Sequence, residues 1–298
     1  MARRRKTALI TDLDNTLFDW VELWLNCFSA MLDQIIEISG IPRERLLPEI
    51  AAVHQKHGTS EYSFLIEEIP SLQPILQGRP ATEVFAGAIE SYRQQRRKHL
   101  RLFPTVAETL LKIKGQGTII IGYTESMAFY SNYRVRRLGL DGVLNHVFCP
   151  EDHIIPAGLS IEDFRKYPTE HYELRYTKQH FTPKGSKKPD TKVLNAIVDD
   201  LGLNKADCVY VGDNLMKDVA MALDCGIEDV WAKYGQAHKR PEYRLLQEVT
   251  HWTREEVERE QKIREREHVD PTHTLENSFS EILDLFDFRD AHWRKREK

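Results

Sequence analysis

Short, nearly continuous apolar runs recur along the chain. The clearest are TALIT (7–11), TIIIGY (118–123) and CVYVG (208–212), and two weaker candidates are HVFC (146–149) and DVWAK (229–233). Strands that are covered on both faces have this pattern. Successive side chains point to opposite faces of the sheet, and neither face is exposed to solvent, so polar residues do not alternate with apolar ones. The pattern therefore predicts a set of short parallel strands.

Helical patterns separate these runs. One begins at Pro104 and ends at Gly115, one begins at a capping Asp190 and ends at Gly202, and one covers 215–226. Proline in the first turn, aspartate at the N-cap and glycine after the last turn are typical helix boundaries. Strands and helices that alternate in this way predict an α/β fold with a doubly wound parallel sheet.

The alternation is interrupted between the first and second strands. Apolar side chains follow helical spacing there, and we predict helices at 20–38, 42–57 and 81–99. The chain is therefore predicted to have two domains, a helical domain at 18–102 inserted into a core made of 1–17 and 103–298. The aromatic side chains of its first helix are expected to form a core face rather than a cofactor site.

Two further segments depart from a simple core. Residues 150–186 are too many for an ordinary connection, and they are rich in aromatic residues and histidines. Residues 236–270 form a charged helical segment that we assign to the core. Its stretch 253–268 carries charge pairs at i,i+4, such as Glu255 with Arg259, which favour a solvated surface helix. A helix that binds a partner is the alternative.

Composition excludes several classes of protein. The chain has 298 residues, of which 41% are hydrophobic, and a net charge of −4, so it is expected to be globular without a basic surface for nucleic acid. No apolar run approaches the length of a membrane span. We expect a cytoplasmic location. The cysteines (Cys27, Cys149, Cys208 and Cys225) lack the spacing of a zinc site or a disulfide framework and are expected to be buried thiols.

The first predicted strand runs directly into Asp12 and Asp14. Side chains two positions apart on an extended chain point to the same side, so the two carboxylates are brought together. Like charges held close together are costly unless a cation or a shared proton relieves them. A polar turn at a strand end is the simpler alternative, and the other strand ends decide between the two.

Polar side chains also follow the other strong strands. Thr124 follows TIIIGY, Asp213 follows CVYVG with Asp218 five residues later, and Lys187 and Lys188 precede a predicted helix. Ligands of open parallel sheets bind at the carboxyl ends of the strands, so these groups are expected to converge. Carboxylates for a hard cation and donors for an anion are what Mg²⁺-assisted phosphoryl transfer needs.

Four segments resemble the motifs of a known family. ITDLDNTLFD, IIIGYTES, KKPD and VYVGDNLMKDVAMALDCGI occur in the order of the four motifs of the haloacid dehalogenase (HAD) superfamily. The resemblance implies a Rossmann-like core, a helical cap between the first and second motifs, a Mg²⁺ cofactor and an aspartyl-enzyme intermediate. Because Asp12 and Asp213 lie at strand ends open to solvent and the reaction profits from excluding bulk water, we predict that the cap closes over them through hinges near 17–19 and 102–104.

The resemblance also implies roles for individual residues. Asp12 resembles the nucleophile, and Asp14 resembles the general acid that protonates the leaving oxygen and then activates water. Asp12, the backbone carbonyl of Asp14, and Asp213 are the implied Mg²⁺ ligands, and Asp218 is implied to support the metal's water shell or the lysine. As an alternative, Asp218 is a first-turn carboxylate that the helix dipole favours.

Two residues are implied to bind the phosphoryl oxygens. These are Thr124 and Lys188, and Lys188 is preferred over Lys187 because it immediately precedes proline, as in the family's motif. Thr124 could instead cap a helix. An acid at position 14 suits phosphate esters, whose leaving oxygen needs a proton, so the sequence predicts a Mg²⁺-dependent phosphatase acting on a small phosphorylated metabolite. A phosphomutase or phosphotransferase, and a non-catalytic partner-binding protein on the same scaffold, are the alternatives.

The sequence of the inserted segment does not identify the substrate. Arg93, Arg96, Arg97 and Lys98 cluster at the end of its last predicted helix. They are expected to lie in solvent and complement the helix C-terminus, although they could reach an anionic substrate. The histidines His54 and His57 leave the same two possibilities, and a solvated position is the expected one.

Overall fold

A parallel β-sheet forms the centre of the molecule. The structure is a computed structural model that describes residues 3–155, 160, 165, 167–236, 243–249 and 269–290. Its strands are Arg4–Lys6 (β1), Ala8–Thr11 (β2), Ile119–Tyr123 (β3), His146–Cys149 (β4), Lys178–Phe181 (β5), Cys208–Gly212 (β6), Glu228–Ala232 (β7), His273–Leu275 (β8) and Phe286–Phe288 (β9).

Seven of these strands pair in the order β5-β4-β3-β2-β6-β7-β8, and β1 pairs with β9 in a separate two-stranded sheet. All of the pairings are parallel. The five predicted strands are present, and the predicted α/β fold with a doubly wound, Rossmann-like sheet is confirmed. In the register of the central strand, Thr11 lies beside Gly122 on one side and Val211 on the other. The carboxyl ends of β2, β3 and β6 therefore meet.

The edge strand β5 is a strand that the hydrophobic pattern did not predict. It lies within the long segment 150–186, and its sequence, KQHF, is exposed or half-buried. An edge strand of this kind carries polar side chains, so it lacks the apolar run that marks the central strands.

Helices cover the sheet and build the insertion. They are Trp20–Ser39 (α1), Arg43–His57 (α2), Leu65–Glu68 (α3), Gln73–Leu76 (α4), Ala81–Val84 (α5), Ala86–His99 (α6), Val106–Gly115 (α7), Ala128–Arg137 (α8), Thr191–Asp200 (α9), Ala220–Asp224 (α10), Tyr243–Glu248 (α11) and Ile282–Leu285 (α12), with a π-helical turn at Leu215–Val219. Asp190 caps α9 as predicted, because its carboxylate accepts hydrogen bonds from the amides of Lys192 and Val193. None of the described helices is long and apolar enough to cross a membrane.

The helices α1 to α6 share a hydrophobic core of their own. Trp24 and Phe28 of α1 are buried and stacked, with ring centroids 4.6 Å apart, and they pack with Leu46 and Ile50 of α2. A second cluster, which includes Leu9 of β2 and Val209 of β6, lies against the sheet. The aromatic face of α1 is thus part of the packed interior of the insertion.

The short helix α11 differs from its sequence-based assignment to the core. Leu246 and the following Val249 are buried in the hydrophobic cluster of the insertion, where α11 packs against α1 and α2. Leu245, Leu246 and Val249 supply the apolar side chains for this packing. The assignment to the core relied instead on the charged residues that follow in the sequence. The charged stretch 253–268, with its predicted i,i+4 pairs, lies outside the described residues.

The expectation that His54 and His57 are solvated is wrong. His54 is 1% exposed, packs beside Phe28, and donates from Nδ1 to the carbonyl oxygen of Val249 at 2.7 Å. Helical spacing from Leu46 and Ile50 turns it inward, and α11 then covers it. His57 is half-buried, stacks on Tyr62 and contacts Glu68 at 2.9 Å.

We expect the stability of the insertion to fall as the pH is lowered, because His54 takes up a proton in the unfolded chain at a higher pH than in the folded chain. Burial lowers the pKa of His54 to about 4, against an ordinary value of 6.5. Below pH 6.5, His54 is therefore protonated in the unfolded chain while it stays neutral in the folded chain. Its contribution to the free energy of unfolding is fully present above pH 6.5 and declines towards pH 4. The free energy of unfolding should fall by up to roughly 3 kcal/mol from this group.

Urea unfolding between pH 7.5 and 4.5 measures this effect. His54→Gln retains a donor for the carbonyl oxygen of Val249 but cannot take up the proton, so its pH dependence should be weaker than that of the parent protein. His171→Gln, at an exposed position, is the matched control. An identical pH dependence in the parent and His54→Gln would show that His54 does not carry the effect.

Candidate active site

Asp12 lies directly beyond β2 at the carboxyl edge of the sheet. Its backbone amide donates to the carbonyl oxygen of Val211 at 2.8 Å, which extends the pairing of β2 with β6 by one residue. The residue is only 7% exposed. The hydroxyl of Thr16 donates to Oδ2 of Asp12 at 3.2 Å. The carboxylate is thus held at the edge of the sheet with one oxygen towards Thr16.

Lys188 provides the cation beside Asp12. Its Nζ lies 2.6 Å from Oδ1 of Asp12 and 2.9 Å from Oδ1 of Asp218, and the residue is 5% exposed. The backbone amide of Lys188 donates to Glu125 at 3.1 Å, which fixes the loop before α9 against the loop after β3. Lys187, in contrast, is exposed. Of the two lysines, the structure places Lys188 at the carboxylates.

Asp213 and Asp218 complete the acidic group. Asp213 follows β6, and Asp218 lies on the π-helical turn, where it accepts hydrogen bonds from the hydroxyl of Tyr210 at 2.9 Å and the amide of Asn214 at 3.2 Å. A Cβ atom at Gly212 would lie 2.3 Å from the carboxyl carbon of Asp218, so only glycine allows this close approach. Carboxylate oxygens of Asp12, Asp213 and Asp218 lie within 4.8 Å of one another.

The charges of this group do not balance. Burial raises the pKa of Asp12 to about 7, with Lys188 opposing the shift, and burial together with Asp12 raises the pKa of Asp213 well above its ordinary value. Burial alone would lower the pKa of Lys188, but Asp12 and Asp218 raise it well above its ordinary range. One ammonium faces three carboxylates, which leaves an excess of negative charge.

The donor set fits a divalent cation that prefers oxygen ligands. Asp218 is occupied by Lys188, Tyr210 and Asn214, whereas the carboxylate of Asp213 accepts no hydrogen bond from the residues that the structure describes. Among the described residues, Oδ2 of Asp12 is bonded to the hydroxyl of Thr16 alone. Carboxylate oxygens of this kind are the ligands that Mg²⁺ selects, so the residues present fit the implied metal.

The carboxylate of Asp14 contacts residues outside this group, in the loop after β3 and in helix α8. Its Oδ2 accepts from the hydroxyls of Thr124 at 2.9 Å and Ser126 at 2.8 Å, and its Oδ1 accepts from Nη1 of Arg134 at 3.1 Å. The resemblance implied that Thr124 binds a phosphoryl oxygen, and in this structure its hydroxyl is bonded to Asp14. The carboxylates of Asp12 and Asp14 therefore lie in two different polar environments.

The fold and these residues agree with comparisons to known proteins. A family profile for haloacid dehalogenase-like hydrolases matches residues 6–226. The chain belongs to this family. The hydrolase is similar to glyceraldehyde 3-phosphate phosphatases from Pyrococcus furiosus (24% identity over 238 residues, covering 78% of this chain and 83% of the relative) and Methanopyrus kandleri (22% over 236 residues, covering 77% and 84%).

Solved structures show the same fold. A 2-haloacid dehalogenase from Pseudomonas syringae is 21% identical with a TM-score of 0.54, and the match covers 95% of this chain and 98% of that chain. The HAD-hydrolase YfnB from Bacillus subtilis, described with bound magnesium and interdomain movement, is 14% identical with a TM-score of 0.51, covering 95% and 99%. At these identities, the likeness establishes the fold of the hydrolase.

Residues of the site that the sequence did not reveal gather around Asp14. They are Ser126, Arg134 and Glu61, and Arg134 bridges Asp14 to Glu61 of the insertion. Ser126 lies in the IIIGYTES motif, so it could have been included. Arg134 belongs to the basic run YRVRR, which resembles a solvated helix end, and nothing in the sequence pairs it with a glutamate 73 residues away.

The end of β7 supports the loop that carries Asp12 and Asp14 in the hydrolase. The hydroxyl of Tyr234 donates to the carbonyl oxygen of Thr16 at 2.6 Å, and the indole of Trp231 donates to the carbonyl oxygen of Asp213 at 2.9 Å. A Cβ atom at Gly235 would lie 1.8 Å from the carbonyl oxygen of Asn15, so the backbones touch there. These contacts hold the backbone of the loop after Asp12 and Asp14, and the backbone of Asp213, in place.

The basic cluster at the end of α6 only partly follows its prediction. Arg97 and Lys98 are exposed, and Arg97 pairs with Glu90 at 2.6 Å. Arg96 is not in solvent as expected, because its guanidinium stacks on Tyr133 of α8 at 3.8 Å from the ring centroid. The aromatic ring comes from the core, so sequence spacing within α6 could not show it.

The cysteines are buried and free, as predicted.

Proposed function

We propose that this hydrolase is a Mg²⁺-dependent phosphatase that releases phosphate from a small phosphorylated metabolite through an aspartyl-phosphate intermediate. The observation that carries the proposal is the position of Asp12: its carboxylate lies 2.6 Å from the buried ammonium of Lys188 and within the oxygen group that includes Asp213. A carboxylate with an adjacent fixed cation at the carboxyl edge of a parallel sheet suits nucleophilic attack on an anionic phosphoryl group.

In the first step, a carboxylate oxygen of Asp12 attacks phosphorus and the ester oxygen leaves. The leaving oxygen takes a proton from Asp14, so the phosphoryl group is transferred to Asp12 and the alcohol is released. Lys188 stabilises the negative charge of the phosphoryl oxygens during the transfer, while Asp218 and Tyr210 hold the lysine in place. Thr124 and Ser126 orient Asp14 through its Oδ2.

In the second step, a water molecule attacks phosphorus and Asp14 accepts its proton. The bond between phosphorus and Asp12 breaks, inorganic phosphate leaves, and the carboxylate of Asp12 is regenerated. Asp12, the backbone carbonyl of Asp14, and Asp213 would hold Mg²⁺. When bound, this ion neutralises charge on the phosphoryl oxygens and reduces their repulsion from Asp12.

The relatives support this assignment. The two archaeal proteins named glyceraldehyde 3-phosphate phosphatase align with more than three quarters of this chain. Their name describes hydrolysis of a small phosphate monoester, and an acid at position 14 fits a leaving group that needs a proton. The magnesium described for the YfnB structure supports the choice of metal.

A panel of phosphate esters tests the proposal. It contains p-nitrophenyl phosphate, glyceraldehyde 3-phosphate and other three- to six-carbon sugar phosphates, each with Mg²⁺ or with excess EDTA. We expect phosphate release from at least one ester with Mg²⁺ and none with EDTA. The proposal is wrong if no ester releases phosphate with Mg²⁺, or if EDTA leaves the rate unchanged.

Replacing Asp213 by Asn is expected to raise the Mg²⁺ concentration needed for half-maximal activity by roughly tenfold or more, because a neutral ligand replaces a charged one in a site with few protein ligands. A Mg²⁺ titration of the rate of p-nitrophenyl phosphate hydrolysis measures the change. Asp224→Asn, at an exposed position of α10, is the control of equal charge change. An unaltered Mg²⁺ requirement in Asp213→Asn would contradict the assignment of this ligand.

A further inference from the structure

A buried arginine joins Asp14 to the helical insertion. Arg134 of α8 is 4% exposed, and its guanidinium lies near the rings of Phe18 and Tyr130, at 5.6 and 5.7 Å from their centroids. Its Nη1 donates to Asp14 at 3.1 Å and to Ser126 at 2.8 Å, and its Nη2 donates to Glu61. A guanidinium in such surroundings needs all of its partners, because an unpaired buried charge is costly.

The two ends of this arginine belong to different parts of the chain. Asp14 and Ser126 lie on loops at the edge of the sheet, whereas Glu61 lies between α2 and α3 of the insertion. The side chain of Glu61 is 8% exposed, and its removal from water raises the pKa of Glu61 although Arg134 opposes the shift. Away from the sheet edge, the Glu61 carboxylate would be hydrated. Contact with Arg134 replaces that hydration with a charged hydrogen bond.

Neighbouring contacts hold the Glu61 loop at this place. The hydroxyls of Ser63 and Tyr130 are 3.0 Å apart, and Nε2 of His153 donates to the carbonyl oxygen of Glu61 at 3.2 Å. His153 belongs to the long segment after β4, so both α8 and that segment touch the loop. The insertion is therefore fastened to the core beside Asp14, in addition to its two chain connections at 17–19 and 102–104.

We propose that Arg134 is a positioning residue for Asp14, and that Glu61 makes this positioning depend on closure of the insertion over the site. The inference rests on the proposed function, in which Asp14 is the proton donor and acceptor. With the insertion closed, Glu61 fixes one edge of the guanidinium and the other edge fixes Oδ1 of Asp14. With it open, the guanidinium loses Glu61, and only Thr124 and Ser126 hold Asp14 on its other oxygen.

Kinetics with two kinds of ester test the role of Arg134. The quantity is kcat/KM at saturating Mg²⁺, which includes leaving-group departure but not hydrolysis of the phosphoenzyme. For an alkyl phosphate that the parent protein hydrolyses, Arg134→Gln should lower kcat/KM by roughly 10²-fold, because the poor leaving group needs the proton of Asp14. For p-nitrophenyl phosphate the loss should be less than about tenfold, since this leaving group needs little protonation.

Further variants separate positioning from folding. Arg134→Lys should recover part of the alkyl phosphate activity, and Glu61→Gln should show the same selective loss to a smaller degree. The double variant Glu61→Gln/Arg134→Gln should be no worse than Arg134→Gln. Glu68→Gln is the control, because Glu68 pairs with Lys56, His57 and Tyr62 inside the insertion and should leave the ratio of the two esters unchanged. Equal losses with both esters, or losses that multiply in the double variant, would overturn the inference.

A distance measurement tests the closure half of the inference without relying on turnover. Spin labels at Asp33→Cys in α1 and Asp200→Cys in α9, both exposed positions, report the separation of insertion and core. Glu61→Gln should lengthen or broaden the distance distribution, and Glu68→Gln should not. An unchanged distribution in Glu61→Gln would overturn the coupling even in an active phosphatase. A parent protein that releases no phosphate would instead overturn the proposed function, whichever way the distances change.

Discussion

Asp12→Asn is expected to abolish turnover of every phosphate ester, whereas Asp14→Asn is expected to retain activity that depends on the leaving group. The first variant removes the nucleophile and leaves no alternative carboxylate in its place. The second keeps the nucleophile but removes the acid and base, a loss of roughly 10²–10⁴-fold. Phosphate release from an alkyl phosphate and from p-nitrophenyl phosphate compares the two variants.

Both variants should remain folded, which makes the comparison fair. At position 12 the amide oxygen still accepts from Lys188, and its NH₂ group meets the hydroxyl of Thr16, which can accept as well as donate. At position 14 the amide oxygen still accepts from Arg134, and its NH₂ group meets the hydroxyls of Thr124 and Ser126, which can accept as well as donate. Urea unfolding checks this point. Turnover by Asp12→Asn comparable to that of the parent protein would remove Asp12 from the mechanism.

Lys188→Met is expected to destabilise the protein by roughly 3–5 kcal/mol in EDTA, because it leaves Asp12 and Asp218 buried without their cation. The lysine is 5% exposed and contacts both carboxylates, so water cannot replace it readily. The double variant Lys188→Met/Asp218→Asn should recover part of the loss, since it removes one of the unpaired charges. Urea unfolding in EDTA measures both changes.

The neighbouring lysine supplies the control. Lys187 is exposed, so Lys187→Met should change the free energy of unfolding by less than about 1 kcal/mol, as is usual for surface charges. Similar losses from Lys187→Met and Lys188→Met would mean that the ammonium of Lys188 does not hold the two carboxylates together. Lys188→Met should also lower turnover, because Lys188 is the side-chain cation that the described residues place beside Asp12 to stabilise the phosphoryl oxygens.

The sequence predicted the parts of the fold that depend on buried, continuous patterns. The runs at β2, β3 and β6 are covered on both faces, so their apolar character is strong, and their ends predict which side chains converge. The capped helix α9 begins at Asp190 as expected. The edge strand β5 and the docked helix α11 were missed or misplaced, because their positions depend on long-range packing and their sequences are largely polar or short.

The same distinction applies to the site. Asp12, Lys188, Asp213 and Asp218 were placed together because Asp12 and Asp213 directly follow strands, Asp218 comes five residues after Asp213, and the lysine precedes proline. The environment of Asp14 was not predicted. Its partner Arg134 pairs with Glu61 across two parts of the chain, and the burial of His54 depends on α11. A single sequence shows local pattern, whereas these contacts arise only when distant segments pack together.

The measurement that tests the proposed chemistry most directly is the intact mass of Asp14→Asn after reaction with p-nitrophenyl phosphate and Mg²⁺ and an acid quench. Without its base, hydrolysis of the intermediate is slow, so the protein should carry one phosphoryl group on the peptide that contains Asp12. The double variant Asp12→Asn/Asp14→Asn should carry none. A phosphoryl group that persists in the double variant, or its absence from Asp14→Asn while the ester is being cleaved, would contradict an aspartyl-phosphate at Asp12.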